Sequence, residues 1–349
     1  MVYLSFWYSK IKERGAVVKK VLVSIFLIAI IIVCGFYYFS GFKMKNAIIE
    51  KEIVVTDIDE IDLLSSSIDI EVVESKGDKA VFTISGRATP NLAKKIYLDV
   101  KKTDRTIVAE AKFKRLFSFF SFNRGSVHLK VALPKATYEK ISVNTSSGDV
   151  AYIDIATKGL AIHTASGDIA GNNIAVDGDI ELTTSSGDIS VRDMQAKKVI
   201  MDSTSGDITG QSITVDGDAK LTSTSGDIGT QDVKAKSIVM NSTSGEIAAD
   251  YLSGDITAKT SSGDIAVLVK TLNENITLST ASGDTAVILK NKADNLSVDF
   301  VSDSGDATVI YSGMTFKEKK DHRIVGEIGN GNPIVKTRTN SGDFELIAQ

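Results

Sequence analysis

From about residue 136 onward the chain alternates apolar and polar positions with a period of two, and the alternation restarts about every twenty residues. Short runs line up under one another: Ile141/Val143/Thr145, Leu160/Ile162/Thr164, Ile180/Leu182/Thr184, Val199/Met201/Ser203, Ala219/Leu221/Ser223 and Ile238/Met240/Ser242. Ile256/Ala258/Thr260, Ile276/Leu278/Thr280 and Leu296/Val298/Phe300 continue the series. One face reads apolar, apolar, then usually Ser or Thr, and the residues between are mostly polar, among them Ser142, His163, Glu181, Asp202 and Lys220. Strand alternation in register with a fixed long repeat predicts a stack in which each rung buries its apolar face on its neighbours.

Between these strands stands a Ser-Gly-Asp or Ser-Gly-Glu turn, with glycines at Gly148, Gly167, Gly187, Gly206, Gly226, Gly245, Gly263, Gly283, Gly305 and Gly342. Steps of 19, 20, 19, 20, 19, 18 and 20 residues separate the glycines from Gly148 to Gly283. Glycine is expected to supply positive φ at the corner, the acid to bond neighbouring amides, and the preceding hydroxyls to bond from rung to rung. Residues 172–210 match residues 211–249 at 20 of 39 positions, including a shared Asp-Gly-Asp, so rungs come in pairs with a second corner. The expected fold is all-β: a single-chain, right-handed parallel β-solenoid (β-helix) of about 20-residue rungs. Residues 317–320 are expected to form a solvated loop, and Ser341-Gly342-Asp343-Phe344 the closing rung.

Residues 46–135 lack clean repeats but hold strand-like runs, such as Ile68-Asp69-Ile70-Glu71-Val72 and Ala80-Val81-Phe82-Thr83-Ile84. Ser66-Ser67-Ile68-Asp69-Ile70 reads as a worn repeat with Ile in the glycine position. This segment is expected to cap the solenoid of residues 136–349, with one helical turn after Pro90. Within it, residues 112–124 interleave basic and aromatic side chains: Lys114, Arg115, Phe117, Phe119, Phe120, Phe122 and Arg124 form a candidate contact loop. A plug over the open end of the stack accounts equally for the phenylalanines.

Residues 21–42 carry no charge and are dense in Ile, Val, Leu and Phe, enough for one transmembrane helix ahead of the solenoid. A cleaved signal peptide is the rival reading, but the apolar run is long and lacks a small-residue cleavage pattern. Residues 1–45 hold seven Lys/Arg and one acidic residue, whereas the remainder holds 33 basic and 43 acidic residues. By that asymmetry 1–20 is expected to be a cytoplasmic basic segment and the solenoid to lie outside the cell membrane, and the acidic body argues against nucleic-acid binding.

Candidate chemistry is sparse. Cys34 is the only cysteine, so neither an intrachain disulfide nor a Cys-based zinc site can form. His128, His163 and His322 are scattered, and no HExxH, phosphate loop or nucleophile–base pair is present. The stacked acids Asp149, Asp168, Asp188, Asp207, Asp227, Asp264 and Asp284, with Glu246, form a file that calcium would relieve of self-repulsion, but Asp as a turn former explains them without metal. No catalytic residue, cofactor or resident metal is assigned.

The repeated Ser-Gly-Asp-Ile turns, Leu133-Pro134-Lys135 and the run from Tyr138-Glu139-Lys140 to Ser147-Gly148-Asp149 resemble a bacterial family of candidate adhesins. That family is a domain of unknown function built of β-strand repeats. With the anchor, the chain is also similar to membrane-bound accessory proteins of Gram-positive envelope-stress operons. The resemblance covers roughly residues 50–349 and implies a β-helix at the cell envelope with no established catalytic residues. The expected role is non-enzymatic contact with a wall polymer, a lipid surface or a partner protein. A self-associating scaffold and a carbohydrate-active β-helix enzyme are the alternatives.

Overall fold

The computed structural model describes residues 45–114, 125–135 and 138–348. The apolar segment 21–42 and most of the 112–124 loop, including Arg115, Phe117, Phe119, Phe120, Phe122 and Arg124, lie outside the described residues. No helix among the described residues is long and apolar enough to cross a membrane. One helical turn, Pro90–Ala93, follows Thr89 as expected of a proline that presets φ at a helix start.

The chain winds one continuous 28-stranded sheet. In the repeat region each rung contributes two strands. A short one, such as Lys198–Ser203, leads through the Ser-Gly-Asp turn into a longer one, such as Ile208–Val215. Short strands stack on short strands and long on long, parallel and in register: Val199 lies beside Ile180 and Ala219, and Ile208 beside Ile189 and Ile228. The aligned apolar positions all point inward, as the period-two pattern requires, and Ile180, Val199, Met201, Ile208, Leu221, Ile238 and Met240 are buried.

The longer strand is kinked by a residue in the left-handed region. Asp154, Asn173, Asp193, Ser212, Asp232 and Tyr251, with φ of 56°, 54°, 52°, 56°, 55° and 57°, form this second corner. Each stands five positions after a turn acid, and Asn and Asp tolerate that conformation better than other side chains. The Asp-Gly-Asp of residues 177–179 and 216–218 makes the corner expected from the sequence, the third in its rung, where Gly178 and Gly217 lie against the carbonyls of Lys158 and Lys197. A rung therefore has three sides.

The turn glycines are not where positive φ is needed. Of the stacked turn glycines from Gly148 to Gly342 only Gly283 and Gly342 have φ in the positive range, at 152° and 157°; Gly254, in the Ser-Gly-Asp that opens a strand at residue 253, has 134°. A Cβ on Gly167, Gly187, Gly206, Gly226 or Gly245 would instead collide with the carbonyl of the turn glycine one rung below. Close stacking of backbone on backbone, not left-handed geometry, requires glycine here. Ile68 occupies this position in the first such turn, with its side chain buried and its carbonyl directly under Gly148.

The ends depart from the simple solenoid. After Glu60–Ser65 and Asp69–Ser75 form one rung, the chain moves outward, and Thr106–Phe113 and Gly125–Pro134 pair on that rung's outer side. The rung beginning at Lys140 then returns to its inner side, pairing with Glu60–Ser65. Lys45–Val54 and Lys79–Ala88 extend one ladder antiparallel, and Ile96–Thr103 extends the other. The far end mirrors this. Leu296–Ser304 and Ala307–Ile310 form the outermost two-strand rung, while Ile334–Ser341 and Phe344–Ala348 insert between them and the rung of residues 276–289. Ser341-Gly342-Asp343 is thus an inserted rung rather than the closing one. Residues 317–320, expected as a loop, belong to strand Thr315–Lys320, which pairs antiparallel with Arg323–Ile328 and covers the end. Alternating Phe316 and Glu318, half-buried, sustain that strand although its sequence is charged.

Candidate functional site

Two surfaces repeat in register along the stack: the Ser-Gly-Asp corner and the outward side of the longer strand. At the corner the Ser or Thr that ends a short strand is buried, and in the four rungs from Thr184 to Ser242 its hydroxyl has two partners. Ser203 Oγ accepts the Gly206 amide at 2.9 Å and donates to the Gly187 carbonyl, one rung below, at 3.0 Å. Ser223, Ser242 and Thr184 repeat the pair. These hydroxyls satisfy backbone groups that water cannot reach, which is why a polar side chain ends an otherwise apolar column.

The acids form the file expected from the sequence, and every carboxylate of it but that of Glu246 holds a neighbouring amide. The amides of Asp168, Asp188, Asp207 and Asp227 donate to Oδ1 of Asp149, Asp168, Asp188 and Asp207 at 2.8–2.9 Å. The amide of Asp284 likewise donates to Asp264 Oδ1. One oxygen of each of these carboxylates therefore fixes the corner of the next rung. Among the described residues no three His, Cys, Asp or Glu side chains converge on a point that could hold a metal ion. The turn-forming role accounts for the acids.

The second surface is a groove of about 760 Å³ running across the rungs from Ala151 to Asp250. Its floor is a file of small side chains: Ala151, Ala170, Ser190, Thr209, Gly229 and Ala248. Beside the floor runs a second outward file, Ile153, Asn172, Arg192, Gln211, Gln231 and Asp250. The parallel register places successive members directly over one another, Asn172 beside Arg192, Arg192 beside Gln211, and Gln211 beside Gln231. The positive-φ corner borders the groove on the side of that file, and the carboxylate file borders the other. Such a surface offers amide, guanidinium and hydroxyl groups at the rung spacing of about 4.8 Å.

The alternation in the sequence marks the outward columns without singling out this one. A signal was present: small residues two positions after each turn acid, with Asn172, Gln211 and Gln231 two further on in three of the six rungs. Of the candidate contact loop, Lys114 is described, exposed, and lies over the Tyr97 ring at 5.4 Å. His128 bonds Ser85 Oγ at 3.0 Å and His322 bonds the Gly305 carbonyl at 2.7 Å, so neither joins a cluster.

Two overlapping stretches, residues 58–223 and 177–346, match the family model described as Toastrack DUF4097. The chain belongs to this family. The two Toastrack matches overlap within the duplicated rungs, as expected where neighbouring repeats are alike. Among solved structures, this Toastrack chain is similar to a candidate adhesin from Parabacteroides distasonis ATCC 8503, at 14% identity over 86% of this chain and 97% of that one, with a TM-score of 0.46. It is also similar to a candidate lipid-binding protein from the same organism, at 18% identity over 86% and 96% of the two chains and a TM-score of 0.41. A candidate adhesin from Bacteroides fragilis NCTC 9343 is 16% identical over 86% and 97%, with a TM-score of 0.36. No curated protein matches the chain.

Proposed function

We propose that this protein is a non-enzymatic binding module, anchored in the cell membrane through residues 21–42 and displaying its groove to the envelope. The ligand class that fits the groove best is a linear wall glycan. The observation that carries this reading is the match between groove and polymer periodicity. Floor and polar file repeat once per rung, every 4.8 Å or so, which is close to the advance of one sugar ring in an extended glycan. A peptide laid along the same axis advances about 3.3 Å per residue and would fall out of register within a few rungs. The amides of Asn172, Gln211 and Gln231 and the hydroxyls of Ser190 and Thr209 suit sugar hydroxyls. Each rung contributes weakly and the polymer engages many, so retention arises by avidity.

Self-association through the ends is less well supported. The outer strands carry Lys101 and Lys102 at one end and Lys317, Lys319 and Lys320 at the other, the kind of charge that protects exposed sheet edges.

Co-sedimentation of the full-length, detergent-solubilised chain with purified cell wall tests the proposal. Gly229 lies in the floor, and a Cβ there would meet only Thr209 Cγ2, at 3.9 Å, so Gly229→Tyr occludes the groove without backbone conflict. The wild-type chain is expected to pellet with the wall, with or without a calcium chelator, and Gly229→Tyr to remain in solution. Equal pelleting of both chains, or of neither, would exclude the groove as a glycan site.

A further inference from the structure

We infer that the end of the stack formed by strands Lys45–Val54 and Ile96–Thr103 is seated on the membrane surface, against anionic phospholipid headgroups. This rests on the anchor reading of residues 21–42 given above. Residue 42 closes the uncharged run and Lys45 already opens a strand, so at under 4 Å per residue the strand begins within about 11 Å of the end of that run, at or just above the headgroup layer.

Three features of that end suit a lipid surface. Ile48 and Val54, on the first strand, are 70% and 50% exposed, the two most apolar exposures at this end of the described stack. Both strands are terminal among the described residues: Lys45–Val54 pairs only with Lys79–Ala88, and Ile96–Thr103 only with Thr106–Phe113. An open strand edge bearing Ile48 would invite other chains in free solution, whereas headgroups and interfacial water satisfy its backbone groups. Third, residues 90–114 carry seven Lys/Arg and three Asp/Glu, against the acidic excess of the chain as a whole. Lys94, Lys95, Lys101 and Lys102 cluster on or just before the terminal strand, and Lys102 Nζ bonds the Thr56 carbonyl at 2.8 Å, tying the two terminal segments into one platform. Basic side chains beside a bilayer are drawn to anionic lipid within a Debye length.

The far end also carries lysines and exposes Ile310 and Ile334, but it is the full length of the stack away from the strand that opens at Lys45. Seating the near end has a consequence for the groove. The strand Val150–Thr157 is the fourth neighbour of Lys45–Val54 along its ladder, so the groove starts about 20 Å above the terminal strand, clear of the headgroups.

Full-length chain reconstituted in vesicles with headgroup-linked quenchers tests the inference. An environment-sensitive dye is attached through Ile48→Cys or, separately, Ile310→Cys, each in a Cys34→Ser background. In vesicles containing phosphatidylglycerol the dye at residue 48 is expected to be quenched at least about twofold more than the dye at residue 310. Changing Lys94, Lys95, Lys101 and Lys102 together to Glu should abolish the difference while circular dichroism stays unchanged. Vesicle-bound chain with equal quenching at the two positions overturns the seating and leaves the anchor standing. Quenching that persists in the charge-reversed chain, or is equally strong in pure phosphatidylcholine, overturns the assignment to anionic headgroups. Chain that does not float with vesicles overturns the anchor and the seating with it.

Discussion

The backbone amide of Asp306 donates to Oδ1 of Asp343 at 2.8 Å, and the amide of Asp343 donates to Oδ1 of Asp284 at 2.7 Å. The carboxylate file therefore runs through space as 264, 284, 343, 306, while the chain visits these residues in a different order. The last pass of the polypeptide is clamped between two earlier ones, so the carboxy-terminal rung cannot peel away as a free end would.

Phe300 and Phe344 hold this clamp. Both are buried, and their rings stack at 5.2 Å with planes 15° apart. Phe344→Ala is expected to cost about 3–5 kcal/mol. It should also lower hydrogen-exchange protection in residues 296–301, although these precede it by more than forty positions. Protection lost only around residue 344 would contradict the clamp.

Gly206 separates two reasons for glycine at the repeated turn. If the turn needed left-handed backbone, Gly206→Asn would be milder than Gly206→Ala. Because the obstacle is the Gly187 carbonyl against any Cβ, both variants are expected to destabilise alike, by several kcal/mol in urea unfolding.

The buried hydroxyl and the exposed acid of one turn should differ in weight. Ser203→Ala leaves the Gly206 amide and the Gly187 carbonyl without their partner inside the stack, an expected loss of about 2–3 kcal/mol. The acid file has one irregular member, Glu246, whose own amide is held by Asp227 Oδ1 at 2.8 Å. Its longer side chain makes no matching bond to the Asp264 amide. Glu246→Asp is expected to complete the file and to stabilise by about 0.5–1 kcal/mol, read as a higher urea midpoint.

The positive-φ corner predicts a gain of similar size. Ser212 has φ of 56° in a column otherwise occupied largely by Asp and Asn. Ser212→Asn should raise the melting temperature by about 1–2 °C, since Asn enters this region at lower cost. A drop would show that the Ser hydroxyl has a role at that corner.

Alkaline pH should unfold the protein through its buried tyrosines. Burial pushes the Tyr138 phenol up from 10.0 to about 12, with its hydroxyl donating to the Pro134 carbonyl at 3.1 Å. Burial also pushes Tyr152 upward, and its hydroxyl has no protein partner. A folded-state value above the unfolded one means that the native chain keeps the proton while the unfolded chain releases it. Stability is therefore intact below pH 10 and falls as pH rises through 12. Tyr138→Phe should flatten that fall in a circular-dichroism titration. Tyr152→Phe should do the same and leave neutral-pH stability unchanged or improved, because it removes an unsatisfied buried hydroxyl.

The sequence alone determined the rung. Period-two alternation places Val199 and Met201 inward, the twenty-residue repeat stacks them on Ile180 and Leu182, and the Ser-Gly-Asp turn aligns the acids. These are local or nearest-neighbour relations, and in a repeat each is written many times over. The Asp-Gly-Asp corner was also legible, whereas the positive-φ corner was not singled out, because a residue type that merely tolerates left-handed backbone is a weak signal beside glycine. What only the tertiary structure decided is everything that depends on which rung sits beside which. Nothing in residues 334–348 says that they enter between the rungs of residues 276–289 and 296–310. Their strands would pair equally well on the outside, since every rung presents the same backbone edge. The antiparallel hairpin Thr315–Lys320 with Arg323–Ile328 settles it by occupying the outer edge of Leu296–Ser304, leaving only the inner edge for the returning chain. The groove is decided in the same way. Its floor is made of residues too small to announce themselves, and stacking in register turns six such residues into one continuous surface.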